Sequence, residues 1–385
     1  MRFLVAKLVL ASLLGFSSTA AMSAGPNTVA QFDYTLWPEA INNPAGFDKA
    51  SRATLLVYAP VLEELSKASD AELLAKFHIK SLSRASINEW TAKQLAMVWR
   101  NYQLAATNCP AADWTCAAVG VKSEDFVAQA RLITAKTPVA LTAWQQQLSV
   151  FASDYASEQM RLAALFPKVN SEVSVINAQE FNGDELADRL FYLSFDDGPS
   201  AAKGTTDELI TMLTAQQKPA VFFVLGENFA NRLNKTSKDD LAKLYGQHCV
   251  ALHGYQHQSH AKWADWQSSI QRTQALVTST LTDKQAVALF RPPYGQRKVD
   301  SGAFFQSQGL RVALWNLDSQ DWNQKISSDA IIGRMVGLML IKRHGILLFH
   351  DIHAKAKTAL PSLFNVLGDA VTWGDCRVMG LGASS

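Results

Sequence analysis

The chain has almost no excess charge of either sign, few cysteines, and no long apolar run after its first segment. Among 385 residues, 36 Lys and Arg face 34 Asp and Glu, a net charge of +2. That balance excludes a protein drawn to nucleic acid or an anionic bilayer by bulk charge. Charged residues at 18% and hydrophobic residues at 48% exclude disorder, collagen and coiled-coil fibre. No repeat or low-complexity tract occurs, and no later segment reaches the roughly 20 uncharged apolar residues of a membrane span. The four cysteines include no Cys-x-x-Cys pair, which argues against a zinc knuckle.

What is present begins with an address. Arg2 and Lys7 flank a positive start, Leu8 to Phe16 is apolar, and small residues follow through Ala24. Residues 1–24 therefore read as a secretory signal peptide, with cleavage after Ala20, Ala21 or Ala24. Its removal takes away two cations and no acid, leaving 34 charges of each sign. The chain is expected to be exported, to the periplasm or beyond, where disulfides form. Cys109 and Cys116 bracket a short loop containing Pro110, so 109–116 with 249–376 is the preferred pairing; four buried thiols is the alternative.

At about 100–200 residues per domain, the length calls for two domains, and the pattern changes near residue 186. Before it the periodicity is helical. Ser69 with Glu72, and Ser86 with Glu89, have capping-box spacing. Ile87, Trp90, Leu95, Val98 and Tyr102 fall near one helical face, and Trp144, Leu148, Phe151, Tyr155, Leu162 and Phe166 recur at helical steps until Pro167. Residues 25–185 are expected to be an all-α domain. Its aromatics read as core in preference to a glycan- or partner-binding face.

After residue 186, short apolar runs alternate with helix-length amphipathic stretches. The runs are 191–195, 220–225, 250–252, 286–290, 312–317, 346–349 and 377–381. This alternation predicts a parallel α/β sheet, open or closed into a barrel. Almost every run ends in a reactive residue: Asp196-Asp197, His253, Arg291, Asp318 with Asp321 beyond, and His350-Asp351. In such barrels the carboxyl ends of the strands share one face, and that face carries the active site. His253 and His257, four apart, lie on one side of a helical turn and with one carboxylate make a three-ligand metal set that leaves a position open. His260 competes, since 257 and 260 also share a face. Arg291, on the rigid Pro292-Pro293 loop, suits holding a carboxylate in its ionised form. An Asp321–His350 pair would favour the protonated imidazole of a general acid, beside an apolar pocket of Trp322 and Leu348.

Together these residues resemble the polysaccharide deacetylases, the NodB-type catalytic domain of carbohydrate esterase family 4. Five ordered motifs carry the resemblance: Leu193–Pro199, His253–His257, Arg291–Gly295, Asp318–Trp322 and Leu348–Asp351. It covers residues 186–385 and implies a distorted (β/α) barrel. It further implies a divalent metal, zinc for choice, on Asp197, His253 and His257. Asp196 would be the base, steadied by Arg291. The Tyr294 amide would hold the oxyanion, and His350 would be the acid, backed by Asp321. Trp322 and Leu348 would receive the acetyl methyl. Ser194 stands where the family often has Thr, and His260 is an additional histidine. The implied activity is removal of N-acetyl groups from an amino-sugar polysaccharide such as peptidoglycan, a chitin-like glycan or exopolysaccharide. O-deacetylation of a xylan-like glycan and a non-catalytic envelope-scaffold role are the alternatives. Residues 25–185 could wall the substrate groove, dock an envelope partner or do neither; oligomeric state is open.

Overall fold

A computed structural model describes residues 26–380 apart from 27, 111 and 118–120; the expected signal peptide lies outside them. Five helices come first: α1 (Pro44–Ser66), α2 (Asp70–Phe77), α3 (Arg84–Ala105), α4 (Phe126–Thr134) and α5 (Thr142–Leu165). Their starts are chemically marked. Ser69 and Glu72 form the expected reciprocal capping box. The second expected box is displaced by one turn, because Ser83 caps α3 by accepting from the Ser86 amide. The hydroxyl next to the preceding loop wins over one already inside the helix. Helix α5 ends at Leu165, just before Pro167, as a ring without an N–H requires.

Nine strands follow among the described residues: β1 (Glu180–Phe181), β2 (Leu190–Asp196), β3 (Ala220–Val224), β4 (Cys249–Leu252), β5 (Ala286–Phe290), β6 (Arg311–Ala313), β7 (Leu317–Asp318), β8 (Gly345–His350) and β9 (Thr372–Trp373). The helices among them are α6 (Thr205–Ala215), α7 (Gly226–Leu233), α8 (Lys238–Tyr245), α9 (Trp266–Thr278), α10 (Gly302–Ser307), α11 (Ser328–Lys342) and α12 (Ala354–Leu367). The strand order is β1-β6-β5-β4-β3-β2-β8-β7, with β9 on β2 and every pairing parallel.

Two apolar runs behave differently from expectation. The run at 312–317 is two strands, β6 near one end of the sheet and β7 at the other. Leu314, Trp315 and Asn316 cross between them. Four residues reach at most about 14 Å, so this crossing draws the two ends of the sheet together into a distorted barrel without a ladder across the seam. The run at 377–381 supplies no strand among the described residues; Cys376–Val378 is a 3-10 turn, and β9 precedes it.

Alternation along the strands sorts the side chains into two cores. Tyr192, Val221, Phe223, Cys249, Ala251, Leu289, Ala313, Ile346 and Leu348 pack inside the barrel. Phe191, Leu193, Phe195, Phe222, Val250, Phe290, Leu347 and Phe349 face outward and join the helices. Strands buried on both faces explain why the runs are apolar throughout and do not alternate. The outer core is continuous with the first five helices, from Phe47 and Leu55 on α1 to Tyr155 on α5. Helix α11 is the shared element, with every residue from Ile331 to Lys342 buried. Gly333 and Gly337 on α11 permit this closeness: a Cβ at Gly337 would lie 2.7 Å from the Phe151 ring, and one at Gly333 would strike the Phe32 carbonyl. The Cys109–Cys116 and Cys249–Cys376 disulfides are both formed.

Buried ion pairs fix the join. Arg334 of α11, with no exposed surface, bonds Glu158 of α5 through both nitrogens, at 3.0 and 2.7 Å, and donates from Nε to the Asp318 carbonyl at 2.8 Å. Removing one partner strands a buried charge. Glu158→Ala is therefore expected to lower stability by about 3 kcal/mol, measured by equilibrium unfolding in guanidinium chloride; a loss under about 0.5 kcal/mol would show the pair is not what joins the two segments.

Candidate active site

The inner face of the strands carries the chemistry. Along β2 the inward positions are Tyr192, Ser194 and Asp196; along β4 they continue to His253, along β5 to Arg291, and along β8 to Leu348 and His350. Register sets Asp196 directly beside His350.

Asp197, His253 and His257 come together. Their Asp197 Oδ1 to His Nε2 distances are 3.4 Å for His253 and 3.5 Å for His257. The two histidines do not share a helical turn, as their spacing suggested. His253 follows β4 and His257 lies in a loop bent at Gly254, where φ is +81° and a Cβ would lie 2.5 Å from the His260 ring. The His253 Nδ1 faces the Arg291 carbonyl at 2.8 Å. A carbonyl can only accept, so Nδ1 carries the proton and Nε2 presents a lone pair. Burial lowers the pKa of His257 to about 4, so its ring is neutral near pH 7, the form a metal binds. Asp197 Oδ1 is buried without a hydrogen-bond partner among the described residues. Burial works against the Asp197 charge, but the contact with His253 and the charge of His350 outweigh it and hold the carboxyl well below its ordinary range. An orphaned carboxylate oxygen faced by two imidazole nitrogens fits a divalent cation.

His260 is elsewhere. Its ring is fully buried against Phe290 and Trp263, its Nδ1 bonds the Gln258 carbonyl at 2.9 Å, and its Nε2 meets Ser269 Oγ at 3.2 Å. With both nitrogens occupied it is a brace for the loop.

Two paired groups flank the donor set. Arg291 NH1 donates to Asp196 Oδ1 and to Ser194 Oγ, each at 2.8 Å. On the other side, His350 Nδ1 meets Asp321 Oδ1 at 2.7 Å, and the His350 amide donates to Asp321 Oδ2 at 2.9 Å. Burial disfavours the imidazolium, but Asp321, then Asp197 and Asp196, overcome this and raise the His350 pKa to about 10. Tyr294, in the left-handed region at φ +60°, sets its ring edge-on to His257 with centroids 4.4 Å apart. Tyr294, Trp322, Leu348 and His350 line one cleft with Asp196 and the donor set.

Apart from Asp318, which ends an apolar run and was expected at the rim, the same cleft contains residues that the sequence did not place there. Glu158, Gln159 and Leu162 of α5, with Ser171 and Glu172 after it, form a second wall, and Trp315, Asp318 and Gln320 line the barrel side. A signal existed for some of them. Trp315 keeps the inward parity of Ala313, and Glu158 is an acid on an otherwise apolar helical face.

A polysaccharide deacetylase family model matches residues 183–313. A chitooligosaccharide deacetylase of Bradyrhizobium is 30% identical over 173 residues, which is 44% of this chain and 74% of that protein. The chain belongs to the polysaccharide deacetylase family. A peptidoglycan-N-acetylglucosamine deacetylase of Bacillus cereus is 28% identical over 223 residues, covering 54% of this chain and 75% of the relative. Among solved structures, a family 4 carbohydrate esterase from Streptomyces lividans, in complex with acetate, is 30% identical, with 48% of this chain and 91% of that one covered at a TM-score of 0.40. The family match ends before Asp318, so the fourth and fifth motifs lie beyond it.

Two outcomes test this geometry. His253→Ala and His257→Ala are each expected to lose stoichiometric divalent metal while His260→Ala retains it, measured by elemental analysis of purified protein; metal loss in the last variant would show a different ligand pair. As pH rises towards 10 the His350 proton is lost, so a rate that needs it falls on the alkaline side. Asp321→Asn removes the charge that holds the proton. It is expected to move that falling limb down by about one pH unit or more in a pH–rate profile, and an unmoved limb would remove Asp321 from this role.

Proposed function

We propose that this protein is a metal-dependent hydrolase that removes N-acetyl groups from an amino-sugar polysaccharide. The observation that carries the reading is the placing of a cation donor set between two differently prepared groups, Arg291–Asp196 and Asp321–His350, in one cleft. Asp197, His253 and His257 would hold the ion, and three protein ligands of this kind suit zinc. When bound, such an ion supplies Lewis acidity at the acetamide carbonyl and lowers the pKa of a neighbouring water.

The chain's own residues do the rest. Asp196 Oδ1 is taken by Arg291, which leaves Oδ2 to accept a proton from the attacking water. The water oxygen bonds to the carbonyl carbon, and the Tyr294 amide is the proposed hydrogen-bond donor to the oxyanion. His350, whose Nδ1 is tied to Asp321, gives its Nε2 proton to the sugar nitrogen as the C–N bond breaks. Acetic acid and a free amine leave, the acid giving its proton to the amine or to solvent, and the proton on Asp196 returns to His350 through solvent. Trp322 and Leu348 offer apolar surface to the acetyl methyl. Two disulfides and the apolar first segment support an exported location, periplasmic or secreted.

The test is acetate release by the purified full chain from peptidoglycan glycan, chitin oligosaccharides, an N-acetylglucosamine exopolysaccharide and acetylated xylan. Release from at least one amino-sugar polymer is expected, abolished by chelation and restored by zinc. Asp196→Asn should reduce turnover by about 10²–10⁴-fold. Release from the xylan alone would make the protein an esterase, and no metal-restored release from any substrate would overturn the reading.

A further inference from the structure

The wall opposite the catalytic rim has a character of its own. Two buried arginines hold it. Arg334 ties Glu158 to the Asp318 carbonyl. Arg297 ties the segment after α5 to the Tyr294 loop, donating to the carbonyls of Ser171 at 3.0 Å and Gly295 at 2.9 Å while Glu180 neutralises it. The wall residues are thereby fixed relative to the rim.

Between wall and rim the cleft is rich in acceptors. Asp318 holds Gln320, accepting from its amide at 2.8 Å and from Nε2 at 2.7 Å. Gln320 Oε1 is left buried, 5% exposed as a residue, with no partner among the described residues. Trp315, 6% exposed, likewise has an unpaired Nε1–H. Glu172 is half-buried and makes no side-chain hydrogen bond among the described residues beyond one to its own backbone. Burial raises its pKa to about 8, and the neighbouring Asp318 adds to the rise; burial likewise raises Asp318 to about 6. The nearby arginines are engaged by Glu158 and Glu180. Unpaired buried polar groups are costly unless something satisfies them. Glu172 and Gln320 Oε1 are left to bond, and Asp318, whose oxygens already hold Gln320, adds a charge beside them; a compact cation with several N–H donors meets all three and would draw Glu172 into its ionised form. The lone indole N–H asks for an oxygen beside it.

We propose that Glu172, Asp318, Gln320 and Trp315 form a subsite for a glucosaminyl unit that already carries a free, protonated amine, next to the unit being deacetylated. The ammonium sits among Glu172, Asp318 and Gln320 Oε1, and the Trp315 N–H donates to a sugar oxygen. This inference rests on the deacetylase reading above. It makes the protein selective for a partly deacetylated chain, so that its own product, or that of another deacetylating enzyme, is its better substrate.

The experiment compares kcat/KM on a fully acetylated chitin tetramer with that on tetramers carrying one free amine at a defined position. The best amine-bearing isomer is expected to be favoured by about tenfold, the worth of one charge-assisted hydrogen bond. Glu172→Gln, of the same shape, should bring that ratio to about one, chiefly through KM. Asp318→Asn serves as a second variant if the first fails to fold. Calorimetric titration of a fully deacetylated glucosamine tetramer, at a pH where the amine is protonated, reads the subsite without catalysis; its affinity should fall about tenfold in Glu172→Gln. Equal rates on all tetramers with wild-type protein, a preference for the fully acetylated one, or a ratio unchanged in folded Glu172→Gln would each overturn the proposal. Absence of acetate release from every tetramer, with amine binding still lost in Glu172→Gln, would overturn the deacetylase reading and leave the subsite standing.

Discussion

A guanidinium with no exposed surface governs the geometry of the rim. Arg291 gives Nε to the Ala313 carbonyl at 3.0 Å, NH2 to the Leu314 carbonyl at 3.1 Å, and NH1 to Ser194 and Asp196. Phe223 lies under its plane, with the ring centroid 4.0 Å away. A buried charge is tolerated only when its donors are met by good geometry, and this one is met from β2, from β6 and from the segment crossing the seam. Its own carbonyl takes the His253 Nδ1–H. One residue thus aims the carboxylate on one strand and the imidazole on another. Pro292, which restricts the backbone before it to extended conformations, keeps that carbonyl in place.

The first five helices enter this arrangement through a second pair of arginines. Arg334 and Arg297 are buried, each has an acid partner, and each also holds backbone carbonyls on both sides of the cleft or beside it. The outer face of the barrel needs cover, and α11, buried all round from Ile331 to Lys342, is covered by α1 and α5 in turn. The helical segment is therefore part of the cleft by the same packing that completes the core.

Much of the rim was legible in the sequence because Asp196, His253, Arg291, Asp318 and His350 each follow directly on an apolar run, and a run's end is where a parallel strand delivers its side chains. Helices α3 and α5 were legible from their spacing and α2 from its Ser69 cap. What the sequence left hidden has particular causes. The run at 312–317 looks like one strand because its apolarity is unbroken, yet Leu314–Asn316 spends it on crossing the seam. The histidine spacing suited a helix, but Gly254 turns the loop and His260 braces it. Glu172 and Gln159 could not be placed in the cleft, since the ion pairs that bring them there join residues more than 100 positions apart.

The cleft divides its labour along the chain. The donor set and both flanking pairs come from residues after 190, whereas Gln159, Leu162 and Glu172 on the opposite wall come before the sheet begins. The two sides meet through Arg334 and Arg297, which are paired with Glu158 and Glu180. Substitutions at Gln159, Leu162 or Glu172 therefore change what lines the cleft without touching the donor set or the two flanking pairs. In evolutionary terms, the wall that precedes the sheet can drift while the donor set is kept.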